Sequence, residues 1–146
     1  MRAVVQRVQS ANVKVDGDTV GEIGPGLVIL MGFAMGDKDE DVVYVMDKCV
    51  HLRIFSDNDG KMNLSLKDIG GEILAVSQFT LYGDTRKGRR PGFDKAAPPD
   101  MAEPMYEAAV THLKHHGIAV ATGRFGAHMR VSLVNDGPVT FIVESK

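Results

Sequence analysis

The chain of 146 residues has no tryptophan, a single cysteine, no long apolar run and no dominant sign of charge. One cysteine excludes an intrachain disulfide and any cysteine-based zinc site, and it fits a reducing compartment. No stretch approaches the roughly 18 apolar residues of a membrane span. The opening Met1-Arg2-Ala3-Val4-Val5-Gln6-Arg7 lacks the apolar segment of a secretion signal, so the expected location is cytoplasmic. Seventeen Lys and Arg against 19 Asp and Glu give a formal charge of −2, so any contact with nucleic acid must be local. A Walker A loop, a G-x-S-x-G elbow, H-E-x-x-H and a post-strand G-x-G-x-x-G are also missing, which removes the common nucleotide-binding, serine-hydrolase and zinc-protease patterns.

What is present is the composition of an ordinary globular protein, 44% hydrophobic and 25% charged. At this length about 70% of the unfolded chain's surface can be buried. With no repeat or linker, residues 1–146 read as one domain. Residues 2–15 carry dense Val, and Asp16-Gly17-Asp18 supplies a hairpin turn before Thr19–Ile23. Leu27 to Met31 is a continuous apolar run, expected of a strand buried on both faces. Asp37 and Glu40 are spaced as a capping box for a helix over about 39–52, whose stripe is Val42, Val45, Met46, Cys49 and Val50. Glu72–Leu81 reads as one long strand and residues 83–99 as an exposed loop. A second helix starts near Asp100, with Ala102, Met105, Tyr106, Ala109 and Leu113 on one face and Gly117 just past its end. Ile118–Ala121, Met129–Asn135 and Val139–Glu144 complete the strands. Two main helices among short-connected strands predict an α+β fold with a largely antiparallel sheet.

Three segments carry candidate chemistry. In Ala75-Val76-Ser77-Gln78-Phe79-Thr80-Leu81 an apolar strand acquires hydroxyl and amide side chains without a turn residue. On a flat strand Ser77 and Thr80 face opposite sides; if the strand ends here, its backbone N–H groups become available as an oxyanion hole. Cross-strand hydrogen bonding accounts for the same residues equally well, and no histidine base adjoins either hydroxyl in sequence. Arg86, Lys87, Arg89 and Arg90 place four cations in five residues. The segment from Asp84 to Lys95 carries +3 and leaves −5 on the remainder, which suits phosphate capture as well as a plain solvated loop. In Asn135-Asp136-Gly137-Pro138-Val139-Thr140, Asp-Gly signals a hairpin, yet the following proline removes a ladder donor from the returning strand. His112, His115 and His116 sit near a helix end, where they complement its dipole; with no carboxylate or cysteine beside them in sequence, no metal is expected. Cys49 on the apolar stripe reads as a buried, inert thiol.

Ser77-Gln78-Phe79-Thr80-Leu81 and Asn135-Asp136-Gly137-Pro138-Val139-Thr140 together resemble the two signature motifs of the D-aminoacyl-tRNA deacylases. The resemblance runs the whole chain, from Met1–Val8 through Lys87-Gly88 and Ala96-Ala97 to Thr122-Gly123-Arg124-Phe125-Gly126-Ala127. One departure is Gly92, where the family usually has Ser. The resemblance implies a barrel-like twisted sheet, no cofactor, and a homodimer hydrolysing the ester between a D-amino acid and the 3′-terminal ribose of tRNA. It implies a cis Gly137–Pro138 bond whose carbonyls enter the partner's site, hold the substrate ammonium and leave no room for an L side chain, so achiral glycine passes too. Ser77, Gln78, Phe79 and Thr80 become the catalytic segment, Ala102 and Met129 match pocket positions, and Arg86 to Arg90 would bind tRNA. Within the family pattern either Thr80 is the nucleophile, or water assisted by the ribose 2′-hydroxyl attacks; the missing base favours water. Two other classes stand beside this: a noncatalytic RNA-binding module using the basic loop, with a G-x-x-G at Gly123–Gly126, and a small-ester hydrolase with a Thr80 nucleophile.

Overall fold

The alternating valines of the N-terminus form β1 (Arg2–Val15), the strand on which the sheet is built. A computed structural model describes residues 1–146. Asp16 and Gly17 both have positive φ, 51° and 83°, the geometry of a two-residue hairpin turn into β2 (Asp18–Ile23). β1 also pairs antiparallel with β3 (Gly26–Gly32) over its first half and with β8 (Arg130–Glu144) along almost its whole length. β6 (Glu72–Ser77) runs parallel to β3, and β7 (Val120–Thr122) parallel to β6. The sheet is therefore mixed, and its two longest ladders, β1 with β8 and β1 with β3, are antiparallel. The two parallel steps are the ones that need long crossovers.

Those crossovers hold the helices. Between β3 and β6 lie α1 (Asp39–His51), the small ladder β4 (Phe55–Ser56) and β5 (Met62–Leu64), and the single turn α2 (Leu66–Ile69). Between β6 and β7 lies α3 (Pro99–His115). Side chains alternate across β3 as its apolar run requires. Leu27, Ile29 and Met31 join α1 and α3 in a 26-residue core that includes Val45, Met46 and Leu113, whereas Val28 turns inward to Val8, Val13, Leu74 and Val76. Each such burial is worth about 1.5–3 kcal/mol before entropy is charged. The strand order β2-β1-β3-β6-β7 curls until its two ends meet: a Cβ on Gly21 would lie 2.5 Å from the Thr122 carbonyl oxygen. Glycine at this seam lets the barrel nearly close.

Three local expectations need correction. Asp37 does not cap α1; its carboxylate accepts from the Ala34 N–H, and Asp41 instead accepts from Lys38 N–H at 2.8 Å. β6 stops at Ser77 rather than Leu81, and Phe79–Tyr82 form a 3-10 turn. The segments 129–135 and 139–144 are not separate strands about a hairpin. Both lie in β8, which keeps one direction along β1.

Candidate functional site

β6 ends where its support ends. Its last ladder position pairs Ser77 with Met31, one residue before β3 finishes, and Gln78 N–H makes a final 2.7 Å bond to the Met31 carbonyl. The chain then tightens into the Phe79–Tyr82 turn, whose Gly83 N–H closes on Thr80. The N–H groups of Phe79 and Thr80 have no protein acceptor, as expected of the first donors of a helical turn. Arg2 fastens the far end, donating to the Leu81 carbonyl at 2.8 Å with its guanidinium 5.0 Å over the Tyr82 ring.

Beside this turn opens a cavity of about 640 Å³. Ser77, Gln78, Phe79, Ala102 and Met129 all line it, so five positions separated by up to 52 residues in sequence converge. Thr80 does not line it: the residue is exposed, and its hydroxyl accepts from the Gln78 side-chain amide. An amide is no base. His128 is the one titratable side chain lining the cavity, and it hydrogen-bonds neither Ser77 nor Thr80. The mouth is walled by Phe79 and Phe93, ring centroids 5.0 Å apart, with Phe79 54% exposed. Tyr106 anchors α3 to the floor through its hydroxyl, which donates to the Ala75 carbonyl at 2.8 Å; burial pushes that phenol up to about 12. Met129 both lines the cavity and packs against the inner core, so its two expected roles coexist. Phe125, inside the G-x-x-G segment, turns into the cavity as well.

Gly137 and Pro138 lie elsewhere. Asn135 pairs with Val8 and Thr140 with Gln6, so four residues of β8 span the place of Arg7 alone in a bulge from which Gly137 and Pro138 protrude while Val139 turns into the core. The Gly137–Pro138 peptide bond is cis, and both residues are exposed. Gly137 has φ +133°, and a Cβ there would meet Val139 Cγ2 at 2.6 Å. Asn135 ties the base, its amide donating to the Arg7 and Val139 carbonyls at 2.9 Å each. Arg7 supports the bulge by donating to the carbonyls of Asp136 (3.1 Å) and Ile54 (2.6 Å). Nothing in the local sequence marks Arg7; its importance comes only from register. Neither Gly137 nor Pro138 lines the cavity of its own chain.

The basic loop is pinched at its base by two backbone bonds between Asp84 and Gly92. Arg86 is not a free cation, because Asp84 accepts from its Nε and Nη2 at 2.8 and 2.5 Å and is held well below the usual carboxylate range. Lys87, Arg89 and Arg90 are exposed and unpaired. Gly92 has open space around it, so its missing side chain answers no steric demand. Cys49 is fully buried, and burial pushes its thiol up to about 12. The histidines depart from expectation in one respect. A carboxylate does stand beside them, since folding brings Asp47 of α1 to His112 of α3 and to His116 at the C-cap of that helix.

The profile of the family described as D-Tyr-tRNA(Tyr) deacylase matches residues 4–144. The chain is 58% identical over 146 residues to the D-aminoacyl-tRNA deacylase of Thermosipho africanus, covering 100% of this chain and 98% of that protein. It is 62% identical to that of Desulfatibacillum aliphaticivorans over the full length of both. Among solved structures, the c-Myc DNA Unwinding Element Binding Protein superposes with TM-score 0.94 at 39% identity, covering 100% and 99% of the two chains. A structure described as a probable eukaryotic D-amino acid tRNA deacylase shares the fold, with TM-score 0.83, 20% identity and 98% coverage of both.

Proposed function

The chain belongs to the D-Tyr-tRNA(Tyr) deacylase family and is an ester hydrolase of D-aminoacyl-tRNA, and from that premise we propose that hydrolysis takes place in the cavity beside the Phe79–Tyr82 turn. The observation that carries this assignment is a pair of unpaired backbone N–H groups, on Phe79 and Thr80, next to an apolar cavity where no base touches a hydroxyl. The two donors stabilise the tetrahedral oxyanion. Water, assisted by the ribose 2′-hydroxyl, attacks the ester carbonyl carbon. The acyl C–O bond then breaks, and the 3′-oxygen leaves with a proton, giving free D-amino acid and tRNA. Gln78 orients Thr80, and the Phe79–Phe93 wall packs against the terminal nucleoside.

The bulge of β8 completes the site in trans. Because Gly137 and Pro138 do not line their own chain's cavity, they can screen an aminoacyl group only in that of a second copy. A homodimer follows, and the exposed apolar Val134, Phe141 and Ile142 of β8 supply surface for it. The carbonyls of Gly137 and Pro138 receive the substrate ammonium, and their backbone blocks an L side chain while admitting glycine, so glycyl-tRNA is also cleaved. The protein acts as a chiral proofreader in the cytoplasm, where tRNA is charged, with Lys87, Arg89 and Arg90 steering the tRNA end.

Single-turnover deacylation of matched D- and L-aminoacyl-tRNAs tests the reading. Cleavage of the D ester alone is expected; equal cleavage of both removes the chiral filter. Thr80→Ala should keep the single-turnover rate within about tenfold of wild type, the loss of a positioning contact rather than of a nucleophile. Complete loss with tRNA binding intact would restore Thr80 as nucleophile.

A further inference from the structure

On the face formed by α1 and α3, three side chains converge that take no part in the cavity. His112 in the last turn of α3 and His116 at its C-cap are four residues apart, the spacing that stacks two side chains on one helix face. Asp47 projects from α1, and a single carboxylate oxygen, Oδ1, lies 2.6 Å from His112 Nε2 and 2.8 Å from His116 Nε2. Helix-dipole complementarity explains why histidines gather at the end of α3, but it does not require two rings to aim the same nitrogen at one oxygen of another helix. His115, between them in sequence, is exposed and stands outside the cluster.

We propose that Asp47, His112 and His116 form a binding site for a divalent late transition-metal ion of the zinc class, which clips α1 to α3. The three donor atoms lie within 4.8 Å of one another. An ion with metal–nitrogen and metal–oxygen distances of about 2.0–2.2 Å needs tetrahedral donors some 3.3–3.5 Å apart. Each Nε2–Oδ1 separation therefore opens by only about 0.6 Å, within reach of side-chain torsions. The donors are two imidazoles and one carboxylate, a set that suits Zn²⁺, Co²⁺ or Ni²⁺, whereas Ca²⁺ and Mg²⁺ require oxygen-rich cages. Each histidine ligates through the Nε2 lone pair and carries its proton on Nδ1. The side chains of Asp47, His112 and His116 are 45%, 27% and 18% exposed, so an ion can enter from solvent and keep water as a fourth ligand. His51 packs its ring edge-on to His116 with centroids 5.4 Å apart, and its Nδ1 lies 2.8 Å from the Asp47 carbonyl oxygen, which buttresses the cluster on the α1 side.

The full chain, stripped of metal by chelation, is titrated with ZnCl₂ and followed by calorimetry and thermal melting. The expected result is one saturable ion per chain with an upward shift of the melting point, no shift with MgCl₂ or CaCl₂, and a visible absorption band on Co²⁺ loading. His112→Gln/His116→Gln retains amide donors for Asp47 and should melt normally in chelator while losing at least tenfold in Zn²⁺ affinity. A wild type with no saturable binding overturns the proposal, as does a double variant that binds Zn²⁺ as tightly as the parent. If the double variant does not fold, Asp47→Asn serves in its place, with the same tenfold loss expected and unchanged affinity overturning the site.

Discussion

Two strands of this sheet are interrupted, and they are interrupted in opposite ways. β6 runs out of a partner at Ser77 and turns, which leaves the N–H groups of Phe79 and Thr80 without acceptors beside a cavity of the same chain. β8 keeps its partner but inserts four residues opposite Arg7, which puts Gly137 and Pro138 outside that cavity in their own chain. One interruption offers donors and contributes to a concave surface; the other is a projecting knob fastened from beneath by Arg7 and Asn135. A small chain thus presents specialised backbone geometry at two places, one lining its own cavity and one projecting away from it; under the proposed function the second needs a second copy.

The comparison breaks most sharply at Gly137. Gly137→Ala forces a Cβ against Val139 at a φ of +133°, and the expected outcome is loss of enantiomer discrimination together with a stability cost of about 1–3 kcal/mol, read by D/L single-turnover assays and melting. A variant that discriminates normally would show the knob to be irrelevant to chirality. Next comes Arg7→Ala, which deprives the Asp136 and Ile54 carbonyls of a donor, at about 1–3 kcal/mol for the buried Ile54 acceptor left unsatisfied. Here L-aminoacyl-tRNA cleavage should rise while the cavity itself remains competent; a uniform fall in both enantiomers would assign Arg7 to folding alone. Reversal of Arg89 and Arg90 to Glu should weaken tRNA binding and flatten the slope of log K against log[salt] by about 1.4–1.8, the value for two lost phosphate contacts. An unchanged slope would return these residues to solvent. The smallest effect is expected of Gly92→Ser: with no atom within 4 Å of the new Cβ, stability should stay within about 0.5 kcal/mol of the parent by denaturant melts.

Where local chemistry decides, the sequence was readable. Asp16-Gly17 carried its turn, the Val42 to Val50 stripe carried α1, Gly117 carried the end of α3, and every one of these is set by near neighbours. The end of β6 was not readable as a boundary, because Phe79-Thr80-Leu81 favours strand and stops being one only where β3 ceases to offer carbonyls. Asp136-Gly137 argued for a hairpin; the partner strand, with which it pairs on both sides of Arg7, makes it a bulge instead. Gln78, Ala102 and Met129 could be grouped only through family resemblance, and Asp47 could not be joined to His112 at all across 65 residues. Each miss is a matter of tertiary register, which periodicity does not encode.

The bulge has a further effect on the chain that carries it. β8 pairs only with β1, so its other side is an unpaired edge of 15 residues, long enough to template strand addition by unrelated chains. The four-residue bulge cuts that edge into stretches of about six and five residues whose donors and acceptors cannot be met by one straight strand. The same bulge that the proposed function uses to screen the substrate thereby also breaks up an edge open to aggregation.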